Sequence, residues 1–116
     1  MTKEFKDMKG VIAIATTPFN NENLIDFESV DRLSNYYIES KVSGVTILGV
    51  MGEAHKLNIE EQKSLIKRYV NNLINSVPVI VGVSNAGLDN LELLSKFSMD
   101  SGASGVMVSG NNGLKN

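Results

Sequence analysis

Residues 42–49 read VSGVTILG, and residues 103–110 read ASGVMVSG. The two octets lie 61 positions apart and share the pattern small-Ser-Gly-Val-x-aliphatic-x-Gly. Each follows the end of a helical pattern. Each opens an apolar run without polar alternation, which is how a strand buried on both faces reads. Two explanations fit the echo. Any joint between a helix and a buried strand favours small residues and glycine. A fold built from repeated βα units, a (β/α)8 barrel, would produce the same echo by repetition.

The rest of the chain alternates around these octets. GVIAIA at 10–15, stopped by Thr16-Thr17-Pro18, predicts a first strand buried on both faces. After a polar turn, Asn20-Asn21-Glu22-Asn23, Asp26 is placed to cap a helix running to about Lys41. Phe27, Val30, Leu33 and Tyr37 share one face of it. No glycine stands at its end, where Ser40 and Lys41 occupy the left-handed cap position at a cost of up to about 1 kcal/mol. Asn58 opens a second helix with Glu61 three residues on, a capping-box spacing, and an apolar stripe of Ile59, Ile66, Tyr69, Val70 and Leu73. PVIVGV at 78–83 is a third strand. A helix from about Leu88 to Ser101 follows, with Leu91 and Leu94 inward and Gly102 as its cap. The fourth strand covers 105–109. The order βαβαβαβ with short connections predicts a parallel sheet with right-handed crossovers. A complete barrel needs roughly 250 residues. The 116 residues therefore read as a single partial domain, an α/β half of a (β/α)8 TIM barrel truncated after its fourth strand.

Composition removes several functions. A formal net charge of −2 argues against a nucleic-acid surface and supplies no polybasic membrane patch. With no cysteine there is no disulfide framework and no thiol nucleophile. The charged start, MTKEFKDMKG, lacks the apolar stretch of a signal peptide. No apolar run approaches the roughly 20 residues of a membrane helix. A cytoplasmic protein is expected, without nucleic-acid or membrane partners. A phosphate loop, a dinucleotide fingerprint and a metal-ligand cluster are missing from the sequence, so no cofactor and no metal are expected. Asp26, Glu28 and Asp31 crowd a helix start, which the helix macrodipole explains. Met51, Met99 and Met107 read as core filler.

Four segments together carry a resemblance: KGVIAIATTPF at 9–19, LGVMGEAHKLNIEEQ at 48–62, VPVIVGV at 77–83 and GASGVMVS at 102–109. In order and spacing they resemble the first half of the dihydrodipicolinate synthase / N-acetylneuraminate lyase family. The most specific element is G-x-x-G-E at 49–53 with Leu57 beyond it. The resemblance implies a lyase that forms a Schiff base between a lysine and a 2-keto acid, usually pyruvate. It implies that Gly49, Val50 and Met51 line the keto-acid carboxylate, with Gly52 and Glu53 bracing the loop. Backbone N–H groups near a helix start make such an anion site, and glycine lets the backbone approach. Typical members carry two hydroxyl residues where this sequence has Val50 and Met51, which leaves backbone donors alone at that point. His55 matches no family role and reads as solvated surface.

The resemblance also implies that the Schiff-base lysine and a proton-shuttling tyrosine belong to later strands. The nine lysines here, at 3, 6, 9, 41, 56, 63, 67, 96 and 115, fall on tails, loops and helix faces. None has the desolvated strand position that would leave its amine partly neutral. The chain is therefore expected to carry no catalytic residue and to be inactive alone. Its open sheet edges and uncovered inner face predict self-association into a homo-oligomer. A stand-alone half-barrel binding a small carboxylate, or serving as an interaction module, is the alternative.

Overall fold

A computed structural model describes residues 10–48, 57–83 and 88–107. Four strands and three helices alternate: β1 (Ile12–Ile14), α1 (Phe27–Glu39), β2 (Gly44–Ile47), α2 (Ile59–Leu73), β3 (Val79–Gly82), α3 (Leu88–Ser101) and β4 (Gly105–Met107). The strands form one sheet in the order β1-β2-β3-β4, with every neighbouring pair parallel. This is the half-barrel expected from the alternation.

The helix ends follow local chemistry. Asp26 is extended and its carboxylate accepts from the Ser29 N–H at 3.2 Å, so α1 begins where a donor needs a partner. Asn58 and Glu61 form a complete capping box: the Glu61 N–H donates to Asn58 Oδ1 at 2.8 Å, and the Asn58 N–H donates to Glu61 Oε1 at 2.9 Å. At the far ends, Lys41 (φ 58°) and Gly102 (φ 113°) both take positive φ. The first does so against the preference of its side chain, and the second uses the freedom of glycine.

Register separates the two faces of the sheet. Ala13, Val45, Val79, Val81 and Val106 line up on the side that carries the helices. There Val30, Leu65, Ile66, Tyr69, Val70, Leu73 and Leu94 close the core, each fully buried. The opposite, inner face carries Ile12 and Ile14 of β1, Thr46 of β2, Ile80 of β3 and Met107 of β4. Thr46 and Ile80, on the central strands, are buried, whereas Ile12 is 44% exposed, Ile14 55% and Met107 45%. The first strand is thus not buried on both faces, which corrects the expectation from its apolar run. An apolar strand is covered only where a neighbour exists to cover it, and among the described residues β1 has one, β2. The same reason places Met107 at the surface. Met99, 48% exposed on the outer side of α3, is also no core filler. Met51 lies outside the described residues.

Helices α1 and α2 are joined by a polar seam invisible to local pattern. The Arg68 guanidinium donates twice to the Asp31 carboxylate, each at 2.8 Å, and stacks over the Phe27 ring at 5.3 Å. Asn72 Nδ2 donates to the same carboxylate at 2.8 Å and to Ser34 Oγ at 3.1 Å. These donors hold the Asp31 carboxyl at a pKa of about 2, with the Arg68 hydrogen bonds the largest cause. Asp31 therefore does more than complement a helix dipole: it fastens one helix to the next.

Candidate functional site

In a sheet of parallel strands joined by helices, ligands collect at the carboxyl ends of the strands, where the βα loops converge. Here that rim is formed by the β1–α1 connection, the exit of β2, and the exit of β3.

The β1–α1 connection is tied at both ends. The Ala15 N–H donates to the Thr46 carbonyl at 2.8 Å, carrying the sheet beyond β1. Next to it, the buried Tyr69 hydroxyl of α2 donates to the Thr16 carbonyl at 2.9 Å. Burial raises the Tyr69 pKa beyond the ordinary tyrosine range, so this hydroxyl is a fixed donor. Farther along, Asn20 Oδ1 accepts from the N–H groups of Glu22 (2.8 Å) and Leu24 (3.1 Å). Asn23 supplies the positive φ of the turn, and Phe19 pairs with Ile25 in an antiparallel bridge. The Asp26 N–H then returns to the Pro18 carbonyl at 2.9 Å, delivering the chain to its helix cap. Thr17 lies between these ties, 6% exposed, and its hydroxyl finds no partner among the described residues.

The β2–α2 connection is held in the same manner. Leu48 leaves the strand buried, at 2% exposure, with φ 58°, a conformation that costs a leucine of order 1–2 kcal/mol. On the other side, Leu57 is buried, and its carbonyl accepts from the buried Gln62 amide at 3.1 Å. The capping box follows immediately. Both ends of the connection are therefore fixed, and its exit leads straight into the amino end of a 15-residue helix. Gly49, Val50 and Met51, expected to line a carboxylate, lie outside the described residues, as do Gly52, Glu53 and His55. The structure places their anchors, Leu48 and Leu57, at the rim.

Thr17, Tyr69 and Gln62 went unremarked as site residues in the sequence. Thr17 read only as a strand stop, and Tyr69 as one more apolar position. Gln62 had a usable signal, a polar residue in register with the stripe Ile59, Ile66 and Tyr69. A side-chain amide at such a position has to find a partner when the stripe is buried.

Grooves elsewhere offer less. One of about 490 Å3 lies between α2 and α3, lined by Lys63, Leu93, Phe97 and three charged neighbours on α3. Another of about 410 Å3 lies beside the rim between the β1–α1 connection and the start of α2, where Glu60 and Glu61 oppose an anionic ligand. Among the described residues no group of three His, Cys, Asp or Glu could hold a metal ion, and no helix is long and apolar enough to cross a membrane. The described lysines Lys41, Lys63, Lys67 and Lys96 lie outside the strands.

The comparisons with known proteins agree with this architecture. Residues 7–110 match the model of the dihydrodipicolinate synthetase family. The 4-hydroxy-tetrahydrodipicolinate synthase of Thermotoga maritima is 35% identical over 100 residues, which is 86% of this chain and 34% of that protein. The crystal structure of dihydrodipicolinate synthase from Rhodopseudomonas palustris superposes with a TM-score of 0.86 at 42% identity, over 93% of this chain and 36% of that one. YagE, a prophage protein of the same family from E. coli K12 solved in complex with pyruvate, gives 0.79 at 29% identity, over 85% of this chain and 33% of that one. The chain spans about a third of the length of the curated relatives it matches. It belongs to the dihydrodipicolinate synthetase family.

Proposed function

We propose that this chain supplies the amino-terminal half of a Schiff-base lyase acting on pyruvate or another 2-keto acid, and that its part in the reaction is to hold the acid's carboxylate. The observation that carries this reading is the β2–α2 connection, fixed at Leu48 and Leu57 and delivered to a capped helix start at the carboxyl ends of the strands. In the proposal, backbone N–H groups of Gly49, Val50 and Met51 receive the carboxylate, as successive amides near a helix start can do. Gly52 and Glu53 brace the turn. Pyruvate is the natural first ligand to test because the related YagE was solved with it.

Val50 and Met51 offer no hydroxyl to relay a proton, so the loop positions the substrate without acid–base work. The nucleophilic amine belongs, in this reading, to a strand outside the present 116 residues. Lys41, Lys67 and Lys96 are exposed side chains outside the strands, without the desolvated surroundings that favour a nucleophilic amine. Lys63 sits over the Phe97 ring of α3 at 5.3 Å, on the helical layer outside the sheet.

Borohydride trapping decides the matter. The 116-residue chain incubated with pyruvate and borohydride is expected to keep its unmodified mass. A stable adduct on any lysine would overturn the assignment of the nucleophile to another part of the protein.

A further inference from the structure

Thr16 ends the first strand at the rim, and its peptide is tied more often than the ladder of a sheet requires. The Ala15 N–H just before it donates to the Thr46 carbonyl at 2.8 Å. The buried Tyr69 hydroxyl of α2 donates to the Thr16 carbonyl at 2.9 Å. The buried Tyr37 hydroxyl of α1 meets the Thr16 N–H: burial raises its pKa, and this backbone donor opposes the rise. Two helices thus spend buried hydroxyls on one peptide. Such ties fix a backbone, and a β-branched side chain on it keeps few rotamers.

The Thr16 side chain has a definite direction. Ala15 and Thr17 turn to the helical side, at 1% and 6% exposure, and Thr16 lies between them. Alternation therefore puts it on the inner face, in line with Ile12 and Ile14. This placement comes from the backbone and its ties, so it holds whichever strand stands on the far side of β1. The register sets Ile14 beside Thr46; carried on two residues, it sets Thr16 beside Leu48, one strand spacing of about 4.8 Å away. Leu48 is the anchor from which the β2–α2 connection departs.

Among the described strand residues, the inner face is otherwise aliphatic side chains, glycine and Met107, with one other hydroxyl, that of Thr46. Thr46 lies one layer deeper, flanked by Ile14 and Ile80. The Thr17 hydroxyl is on the wrong side of the strand. Thr16 alone brings a hydroxyl to the inner face at the rim, beside the exit of β2.

We infer that the Thr16 hydroxyl donates a hydrogen bond to the carboxylate of the 2-keto acid, supplying from β1 the side-chain donor that Val50 and Met51 lack. A hydroxyl facing a carboxylate makes a charge-assisted bond, stronger than one between neutral groups. The inference rests on the reading that the loop after β2 holds that carboxylate, and it adds a second element to the same contact.

The test is isothermal titration of the 116-residue chain with pyruvate. Thr16→Val keeps the shape and removes the donor, and should weaken binding at least about tenfold, the worth of one hydrogen bond to a charged group. Thr16→Ser keeps the donor and should stay within about threefold of the unchanged chain. Circular dichroism should show the same helical signal for all three chains. Pyruvamide, which carries no negative charge, serves as the second ligand. Thr16→Val should lower the preference for pyruvate over pyruvamide. Equal weakening toward both ligands would overturn the contact and make Thr16 a support of the strand end. Undiminished pyruvate binding by Thr16→Val would overturn this inference and leave the carboxylate reading of the loop in place. An unchanged chain that binds no pyruvate would overturn both.

Discussion

Strands β1 and β3 begin corresponding units of the fold, yet they live in different surroundings. The third strand is walled by β2 and β4 and buries all four of its residues. Among the described residues the first has one strand neighbour, and its two isoleucines are exposed on the inner face. Both are short and apolar, so sequence alone gives them the same character. The difference teaches that an apolar run specifies a demand for cover, while topology decides whether the chain itself meets it.

The comparison can be broken most directly at the corresponding isoleucines. Ile80→Ala should lower unfolding free energy by about 2–4 kcal/mol, the usual cost of emptying a packed site. Ile12→Ala, measured by urea unfolding, should cost less than about 1 kcal/mol, because its side chain already meets water. Equal losses would mean that β1 is covered after all.

The helix ends that lead into β2 and β4 sharpen the same contrast. Gly102→Ala should cost about 1–2 kcal/mol, since φ 113° is closed to alanine and the new Cβ would lie 2.5 Å from Ile74 Cδ1. At the corresponding end of α1, Lys41→Gly should instead gain up to about 1 kcal/mol, by removing a side chain from a left-handed position. Melting curves of both variants would show opposite signs. A neutral Gly102→Ala would mean that the backbone escapes its present φ.

The smallest effect concerns the seam of α1 and α2. The Asp31 pKa is lowered from an ordinary 3.8 to about 2, so its contribution to stability is complete above about pH 4 and disappears as pH falls through about 2. The pair is half exposed and solvent screens it, which limits its worth. Asp31→Asn should lower the melting temperature by a few degrees at pH 7 and lose most of that effect by about pH 2. A difference that persists at pH 2 would assign the loss to packing instead of charge.

Much of the fold could be read from residues close together in the chain. Asn58 and Glu61, three positions apart, announced α2. Gly102 announced the end of α3, and the apolar runs announced the order of strands and helices. Residues joined across long separations were not legible. Asp31 and Arg68 stand 37 positions apart and meet only because α1 packs on α2. Leu65, Gln62 and Ser98 proved fully or nearly buried although none had been assigned to the core. For the candidate site, the sequence pointed to Gly49, Val50, Met51, Gly52 and Glu53. The described structure contributes the anchors on either side, Leu48 and Leu57 with Gln62, and the Tyr69 tie to Thr16.

By itself the sequence determined the alternation of strand and helix, the helix caps and the likeness to a family, because each depends on short-range hydrogen bonds and on periodicity along the chain. Only the tertiary structure decided which apolar residues are covered, which carboxylate is paired, and which strands are left at an edge. Those outcomes depend on what stands beside a residue in space, and for Ile12, Met107 and Asp31 that neighbour is set by the packing of whole elements.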